Sequence, residues 1–279
     1  MKRICAITMA RNDSFFLERW IAYYGKQLGE ENLYILLDGT DQQAPQNAGR
    51  STIKHIEHID CQVSVADKLR INELTNLASE LLKTYDIVIG TDADEFLVVD
   101  PACNMQLADY LNSITIQTSV SGLGMDVGQH LNCEKALDKN RLFLDQRQFA
   151  FLSSRYTKAV VISKPVQWGS GFHRVRNHNF RIDKNLFLFH FGSVDYQMLV
   201  DKLSDSERIK NGWKRHLNKR TRTISIITNK NANNADFSMH LARIIQSIIR
   251  PVFAWNKPSM GGLKIVVKIP ERFLKSPVC

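Results

Sequence analysis

The sequence of 279 residues predicts an α/β fold with a mostly parallel central sheet, flanking helices and a basic, mainly helical C-terminal extension. Strand-like and helix-like patterns alternate through the first 100 residues, an order that favours parallel strands joined by crossover helices. A hydrophobic content of 44% with 23% charged residues is typical of a globular protein with a sizeable core. We expect a catalytic α/β domain at 1–200 and the extension at 201–279.

The first 100 residues alternate between the two patterns. Short, mostly apolar runs predict four strands, at 3–9, 32–37, 53–59 and 86–90. Apolar residues at helical spacing predict helices at 14–28 and 67–83. Asp13 or Ser14 serves as the N-cap of the first helix. This half of the chain is therefore expected to supply the parallel strands and the helices that cover them.

The pattern becomes mixed after residue 102. Strands are expected at 117–125, 159–162 and 186–191, and a short helix at 104–111, whereas 134–151 shows no clear period. One helix is predicted across 195–218 and an amphipathic one across 237–249. The Asn-rich hexapeptide at 229–234 is predicted to be a polar linker between helical segments.

The positive charge is concentrated near the C-terminus. The net charge is +9, yet residues 202–279 alone hold 16 Lys and Arg against 4 Asp and Glu, a local +12. Several of these cations stand beside Trp213, Phe253, Trp255 and branched apolar residues. Such a mixture suits an anionic membrane surface, and a solvated helix face is the alternative. Nucleic acid also fits on charge alone.

The cysteines and the apolar runs of the sequence indicate where in the cell the protein is expected. Five cysteines, an odd number, lie far apart and form no C-x-x-C motif, so we expect reduced thiols in a cytosolic protein. They are Cys5, Cys61, Cys103, Cys133 and Cys279. The N-terminal apolar run is too short for a signal peptide. No apolar run approaches 18 residues, so no membrane span is expected. The predicted location is the cytoplasm, with peripheral attachment to the inner face of a membrane.

Acidic clusters follow two of the predicted strands. Asp38 and Asp41 come after the second strand, and Asp92 and Asp94 come after the fourth. Ligands of α/β sheets bind beyond the carboxyl ends of the strands. In extended backbone Asp92 and Asp94 point to the same face, whereas Glu95 points away and is expected to orient the loop. Two converging carboxylates suit a divalent cation that also binds diphosphate oxygens. A solvated turn is the alternative.

Four motifs occur in a distinctive order: TMARND at 8–13, FLERWIAYY at 16–24, YILLDGTD at 34–41 and TDADEF at 91–96. Together they resemble the family 2-type glycosyltransferases of GT-A fold, in which a D-x-D-E-F segment is the metal motif. The resemblance covers the first 100 residues well and the next 100 thinly. Asp13 stands where Glu is more usual, and the Glu-Asp pair that often holds the catalytic base is not evident.

This resemblance implies a GT-A-like (Rossmann-like) fold and a metal-dependent, hexosyltransferase-like activity. A nucleoside-diphosphate sugar, UDP-linked in most similar enzymes, would be transferred with inversion to a surface glycan or a lipid-linked acceptor. By analogy Asp94 ligates Mn²⁺ or Mg²⁺, and Asp92 contacts the donor ribose or a metal-bound water. Asp38 contacts the base or the ribose. Arg11 and Arg70 hold the diphosphate or the base, with a surface charge as the alternative for each.

Two histidines and two aspartates complete the candidate site. His190 interrupts an apolar strand and, as in GT-A enzymes, would complete the metal site with Asp92 and Asp94; a buried core histidine is the alternative. His173 follows a Gly-rich loop in which Trp168 could stack on a sugar, and an ordinary turn is the alternative. An inverting transferase needs a general base. Asp126 is the leading candidate, with His173 and Asp195 as rivals.

Two other functional classes stay open at the level of sequence. A metal-dependent nucleotidyl or phosphoryl transferase would use the same carboxylates, but the chain has no phosphate-binding P-loop motif. A nucleic-acid or anionic-surface binding protein would use the basic C-terminal region. That alternative leaves Asp38, Asp92 and Asp94 unexplained.

Overall fold

A computed structural model describes residues 1–274, so Cys279 lies outside the described residues. The α/β fold class is confirmed: helices flank a central sheet. The strands are β1 (Ile4–Ala10), β2 (Leu33–Asp38), β3 (Thr52–Ile56), β4 (Ile87–Gly90), β5 (Glu95–Val99), β6 (Ser119–Gly128), β7 (Phe149–Leu152), β8 (Val161–Ile162), β9 (Ile182–Ser193) and β10 (Val266–Lys268). The helices are α1 (Ser14–Leu28), α2 (Val63–Leu81), α3 (Leu107–Ser113), α4 (Tyr196–Ser204), α5 (Ser206–Lys210), α6 (Lys214–Asn229), α7 (Ala235–Ile248) and α8 (Glu271–Leu274).

The N-terminal half of the sheet is parallel, as the alternating pattern predicts. Its strand order is β3-β2-β1-β4, and β1 pairs in parallel with both β2 and β4. The three inner strands are apolar and buried along nearly their whole length because α1 and α2 cover the sheet. The carboxyl ends of β2 and β4 therefore bring both acidic clusters to one edge.

The second half of the sheet is mostly antiparallel. β8 joins β4 to β6, β7 joins β6 to β10, and all four of these pairings are antiparallel. β9 lies between β5 and β6, antiparallel to the first and parallel to the second. The registers place Glu95 and Asp126 on either side of His190. Three strands far apart in sequence thus bring these side chains together.

Helix α1 fixes the segment that follows β4. The buried indole of Trp20 donates to the Thr91 hydroxyl at 2.8 Å, and the Tyr23 hydroxyl donates to the Leu97 carbonyl at 2.7 Å. Tyr24 stacks on Phe96 in the same layer. Aromatic residues at helical spacing therefore form part of the core and also hold the acidic turn against the sheet.

The prediction of a single helix at 195–218 is wrong. The structure has three helices there, with a break after Ser204 and a turn at Gly212, whose φ of +89° favours glycine. Helix α6 then continues to Asn229, beyond the predicted end. The sequence pattern also missed β5, β7 and β10, which are short. The linker at 229–234 lies between α6 and α7, as predicted.

The C-terminal segment packs against the rest of the chain. β10 pairs with β7, and Arg272 forms ion pairs with Asp100 and Asp236 at 2.8 and 2.6 Å. The division into 1–200 and 201–279 stays a prediction. Within residues 1–274, no helix combines the length and apolar character needed to cross a bilayer.

Candidate active site

The acidic segment after β4 forms a turn. The backbone N–H of Glu95 donates to the Asp92 carbonyl at 3.0 Å, so the chain reverses between these residues. The prediction that Asp92 and Asp94 converge while Glu95 points away assumed extended backbone, and it is wrong. Asp94 and Glu95 instead face the same centre. Asp92 is 48% exposed and pairs with Lys158 at 2.8 Å.

Three buried ligand groups meet at this centre. One ligand atom each from Asp94, Glu95 and His190 lies within 4.8 Å of the others. Nε2 of His190 is 3.4 Å from Oδ2 of Asp94. A set of two carboxylates and one imidazole can hold a divalent cation. The predicted ligands Asp94 and His190 are therefore brought together, and Glu95 stands where Asp92 was expected.

His190 is oriented by Asp126. Nδ1 of His190 lies 2.7 Å from Oδ1 of Asp126, and the Thr223 hydroxyl donates to Oδ2 of Asp126 at 2.7 Å. Tyr156 stacks on the imidazole with a centroid distance of 3.7 Å. Burial lowers the pKa of His190, but Asp94 and Asp126 outweigh it and raise the pKa to about 9. Asp126 thus holds the imidazole so that Nε2 faces Asp94.

The role of general base predicted for Asp126 does not fit this geometry. Asp126 is buried, and its two carboxylate oxygens are already engaged by His190 and Thr223, so the charge of Asp126 serves the imidazole. Asp195, a rival candidate, caps α4 by accepting from the Met198 N–H at 2.9 Å and also accepts from the Leu137 N–H. The structure gives both aspartates positioning roles.

Two cations neutralise the acidic turn. Arg220, from α6, donates to Oδ2 of Asp94 at 2.9 Å. Burial disfavours the Asp94 carboxylate, but Arg220 and His190 outweigh it and hold the pKa of Asp94 well below its usual range. Lys158 is almost fully buried and lies 2.5 Å from Oε1 of Glu95. Burial lowers the pKa of Lys158, yet Asp92 and Glu95 outweigh it and hold the pKa above its ordinary value.

Glu95 supplies a direct test of whether a metal fits. Its carboxylate is fully buried; Oε1 forms an ion pair with the Lys158 ammonium at 2.5 Å, whereas Oε2 has no hydrogen-bond partner among the described residues. Burial raises the pKa of Glu95 to about 7, while Lys158 acts in the opposite direction. Buried polar atoms in native proteins normally have partners. The unpaired Oε2, on a carboxylate next to Asp94 and His190, fits a divalent cation.

The arginines and Asp38 form a second network at the same edge. Asp38 is fully buried; it accepts from Nη2 of Arg70 at 2.8 Å and from the Ile59 N–H at 2.9 Å, and it lies 2.9 Å from Nδ1 of His58. Burial raises the pKa of Asp38, but these hydrogen bonds outweigh it and lower the pKa. Arg11 pairs with Asp41 at 2.9 Å. Asp38 therefore holds Arg70 at the cavity.

The Gly-rich loop presents a histidine but hides its tryptophan. Trp168 is fully buried, donates to the Ala159 carbonyl at 2.8 Å and packs edge-to-face on Phe172, so stacking of Trp168 on a sugar is wrong. His173 is half-buried and lines the cavity. Burial, Lys158 and Lys257 hold the pKa of His173 well below its usual range, which leaves the imidazole neutral.

These groups surround a cavity of about 340 Å³ at the carboxyl edge of the parallel strands. Its lining includes Arg11, Arg70, the residues of the acidic turn, His173 and His190. From the C-terminal region, Lys202, Arg208, Trp213, His216 and Arg220 also line it. Asp13, at the start of α1, makes no capping hydrogen bond and faces Lys202 at 3.4 Å. Anionic and cationic side chains thus share one cleft.

Sequence reasoning missed two residues of this site, Lys158 and Arg220. Lys158 directly precedes an apolar run, a position that signals burial. Arg220 shares a helical face with the buried residues Leu217 and Ile224, since it stands three positions after one and four before the other. Helical phase therefore distinguishes Arg220 from the other cations of α6.

Comparison with known proteins finds only distant structural similarity. No protein-family model matches the chain, and no curated protein matches it. Among solved structures, it is similar to mannose-1-phosphate geranyltransferase from Thermus thermophilus, with 10% identity, 96% of this chain and 74% of that chain covered and a TM-score of 0.32. It is also similar to CMP:2-keto-3-deoxy-manno-octonic acid synthetase complexed with CTP, with 12% identity, coverage of 79% and 87%, and a TM-score of 0.28. At these TM-scores neither likeness supports an argument about function.

Proposed function

We propose that the protein is a metal-dependent glycosyltransferase that uses a nucleoside-diphosphate sugar, with UDP as the expected nucleotide. The observation that carries the proposal is the convergence of Asp94, Glu95 and His190, with Oε2 of Glu95 unpaired, at the carboxyl edge of a parallel sheet. These three residues would hold Mn²⁺ or Mg²⁺. The bound cation would stabilise the negative charge of the departing diphosphate.

The cations of the cleft suit the donor. Arg11, Arg70, Lys202 and Arg220 line the cavity around the acidic turn. Arginine is the preferred side chain for bidentate binding of phosphate, and its guanidinium remains charged across the physiological pH range. We assign binding of the diphosphate and the base to these side chains. Asp38 and Asp94 preorganise two of them, because each carboxylate already contacts an arginine.

His173 is the best-placed acceptor-side base. It lines the cavity, and its imidazole is neutral because burial and the charges of Lys158 and Lys257 lower its pKa. A bound diphosphate would offset these positive charges and raise the pKa of His173 toward the working range of a general base. His173 would then accept the proton of the attacking hydroxyl.

A panel of nucleoside diphosphates, each with Mn²⁺ and with chelator, tests the proposal by thermal unfolding. A ligand at about 100 times its Kd stabilises the fold by about 2.7 kcal/mol. With an unfolding entropy of about 2.1 cal/mol/K per residue, this stabilisation raises Tm by about 5 °C for a chain of this length. We expect a shift for UDP that chelator abolishes. Equal shifts with and without metal, or no shift with any nucleotide, would contradict the proposal.

We propose further that the surface formed by residues 237–263, the C-terminal surface, attaches the enzyme to an anionic membrane. Helix α7 buries small or polar residues such as Ser238, Ala242 and Gln246. Its opposite face exposes Phe237, Ile244 and Ile248, and the following loop exposes further apolar side chains. These are Ile249, Val252, Phe253, Trp255 and Leu263. Residues 237–270 include five Lys or Arg and no Asp or Glu. Exposed apolar residues among cations match an anionic bilayer surface.

Co-sedimentation with phosphatidylglycerol vesicles tests this attachment, with phosphatidylcholine vesicles for comparison. The double variant Phe253→Ser/Trp255→Ser should bind at least about tenfold more weakly, since each large apolar side chain contributes about 1.5–3 kcal/mol on burial. The matched control is Leu131→Ser/Leu142→Ser, which removes two exposed leucines elsewhere. Equal binding by both double variants, or no binding by the unaltered protein, would contradict membrane attachment.

A further inference from the structure

Helix α6 has an unneutralised row of cations on one face. Arg215, Lys219 and Arg222 follow one another at spacings of four and three residues, so they lie on the same side of the helix. Like charges at these spacings destabilise a helix. Among the described side chains, none of the three forms an ion pair with a carboxylate. No carboxylate among the described side chains therefore offsets the repulsion within the row.

Two residues of this row, Lys219 and Arg222, line a second cavity, of about 350 Å³. The cavity lies between residues 153–156, α6 and the loop at 259–264. Its cations are Arg155, Lys219, Arg222 and Lys264. Asp126 is the one carboxylate among its described lining residues, and it is already engaged by His190 and Thr223. The cavity therefore has a strong excess of positive charge.

The neighbouring groups show the strength of this positive field. Burial lowers the pKa of Lys219, and Arg155 and Arg215 lower it further. Burial lowers the pKa of His216 to about 4, again with help from Lys219 and Arg155. Cations that repel one another in this way are stabilised by a bound anion.

The second cavity adjoins the candidate active site. Arg155 and Tyr156 line both cavities, and Tyr156 stacks directly on His190. We propose that the second cavity and the cationic row of α6 bind the acceptor, and that the acceptor is an anionic glycan bearing carboxylate or phosphate groups. This inference rests on the proposed glycosyl transfer and names the acceptor class for that site.

A glycan fits this surface better than nucleic acid does. Single strands bind through bases stacked on aromatic side chains as well as through phosphates. Two of the described residues that line the cavity are aromatic. Tyr156 is buried and already stacked on His190, and Phe151 is half-buried, so at most one of these two rings is available for a base to stack on. Sugars need hydrogen bonds, and Ser153, Ser154 and Ser259 supply hydroxyl groups among the cations.

Isothermal titration of the full chain with oligogalacturonate, and with a neutral maltooligosaccharide of matched length, tests the acceptor class. We expect oligogalacturonate to bind at least about tenfold more tightly at low salt. The variant Lys219→Gln/Arg222→Gln should bind oligogalacturonate between about twofold and 30-fold more weakly, because each of the two lost charge pairs contributes about 0.2–1 kcal/mol. The control Lys54→Gln/Lys135→Gln makes the same change in net charge on exposed residues elsewhere.

Three results would overturn the acceptor proposal. They are equal affinity for the two oligosaccharides, equal losses in the two double variants, and tighter binding of a single-stranded oligonucleotide of equal charge. The metal-dependent Tm shift with UDP is measured on the same variants, whose substituted residues lie outside the donor cavity. A normal UDP shift without preference for oligogalacturonate would refute the acceptor class and leave the proposed transferase standing. Loss of the UDP shift in the unaltered protein would refute the transferase itself.

Discussion

The variant Asp126→Asn separates a positioning role from a role as general base. Asparagine keeps an oxygen that can accept from Nδ1–H of His190 and removes only the charge. The native contact spans 2.7 Å between side chains that are almost fully buried. A hydrogen bond to a charged group contributes about 1.5–3 kcal/mol. Its weakening should reduce Mn²⁺ affinity by about 10-fold to 100-fold, the range seen for groups that orient metal ligands.

Two readouts on Asp126→Asn decide between the roles. Mn²⁺ affinity is measured by isothermal titration, and hydrolysis of UDP-sugar is measured across Mn²⁺ concentrations. The positioning role predicts weak Mn²⁺ binding and hydrolysis that recovers when Mn²⁺ is saturating. A general base predicts unchanged Mn²⁺ affinity and a loss of about 10²–10⁴ in rate that excess metal does not restore. The second pattern would refute our interpretation of the His190–Asp126 pair.

Three further predictions concern the buried charges. The pKa of Glu95 is higher in the folded, metal-free protein, at about 7, than in the unfolded chain. The stabilisation that Glu95 contributes is therefore fully present below about pH 4.5 and is lost as the pH rises to about 7. The free energy of unfolding of Glu95→Gln, measured in urea, should not show this decline. Lys158→Met leaves Glu95 buried without its cation, so we expect the free energy of unfolding to fall by about 3–5 kcal/mol at high pH. This loss should shrink below about pH 7, where Glu95 becomes protonated. A loss that does not depend on pH would contradict the pairing. Gly192→Ala places Cβ 2.6 Å from Nε2 of His190 and 2.7 Å from Cζ of Arg220. It should abolish Mn²⁺ binding while cooperative unfolding persists, and native Mn²⁺ affinity would argue against the site.

The parallel half of the fold was predictable because its signals are local. Apolar strands alternate with helical periods, and Trp20 and Tyr24 stand at helical spacing in α1. The antiparallel half was less predictable because β5 begins within the acidic turn and β10 has three residues. Pairing of such short strands depends on contacts between distant segments rather than on sequence period.

The candidate site was predicted in part for the same reason. Asp94 and His190 were named correctly as neighbours because a D-x-D after a strand and a histidine in an apolar strand are visible in the sequence. Glu95 was misplaced because the turn at 92–95 reverses the side-chain alternation of extended backbone. The helical phase of Arg220 places it beside buried residues of α6, but its partner Asp94 lies 126 positions away in the sequence, and no local pattern predicts that contact.

The central claim is that Asp94, Glu95 and His190 together bind a divalent cation that carries a nucleoside diphosphate. The most direct test follows free Mn²⁺ by electron paramagnetic resonance in the native protein and in Asp94→Asn, each with and without UDP. We predict that the native protein depletes free Mn²⁺, that UDP strengthens the depletion beyond that of UDP alone, and that Asp94→Asn loses both effects. Identical depletion by the two proteins would contradict the claim.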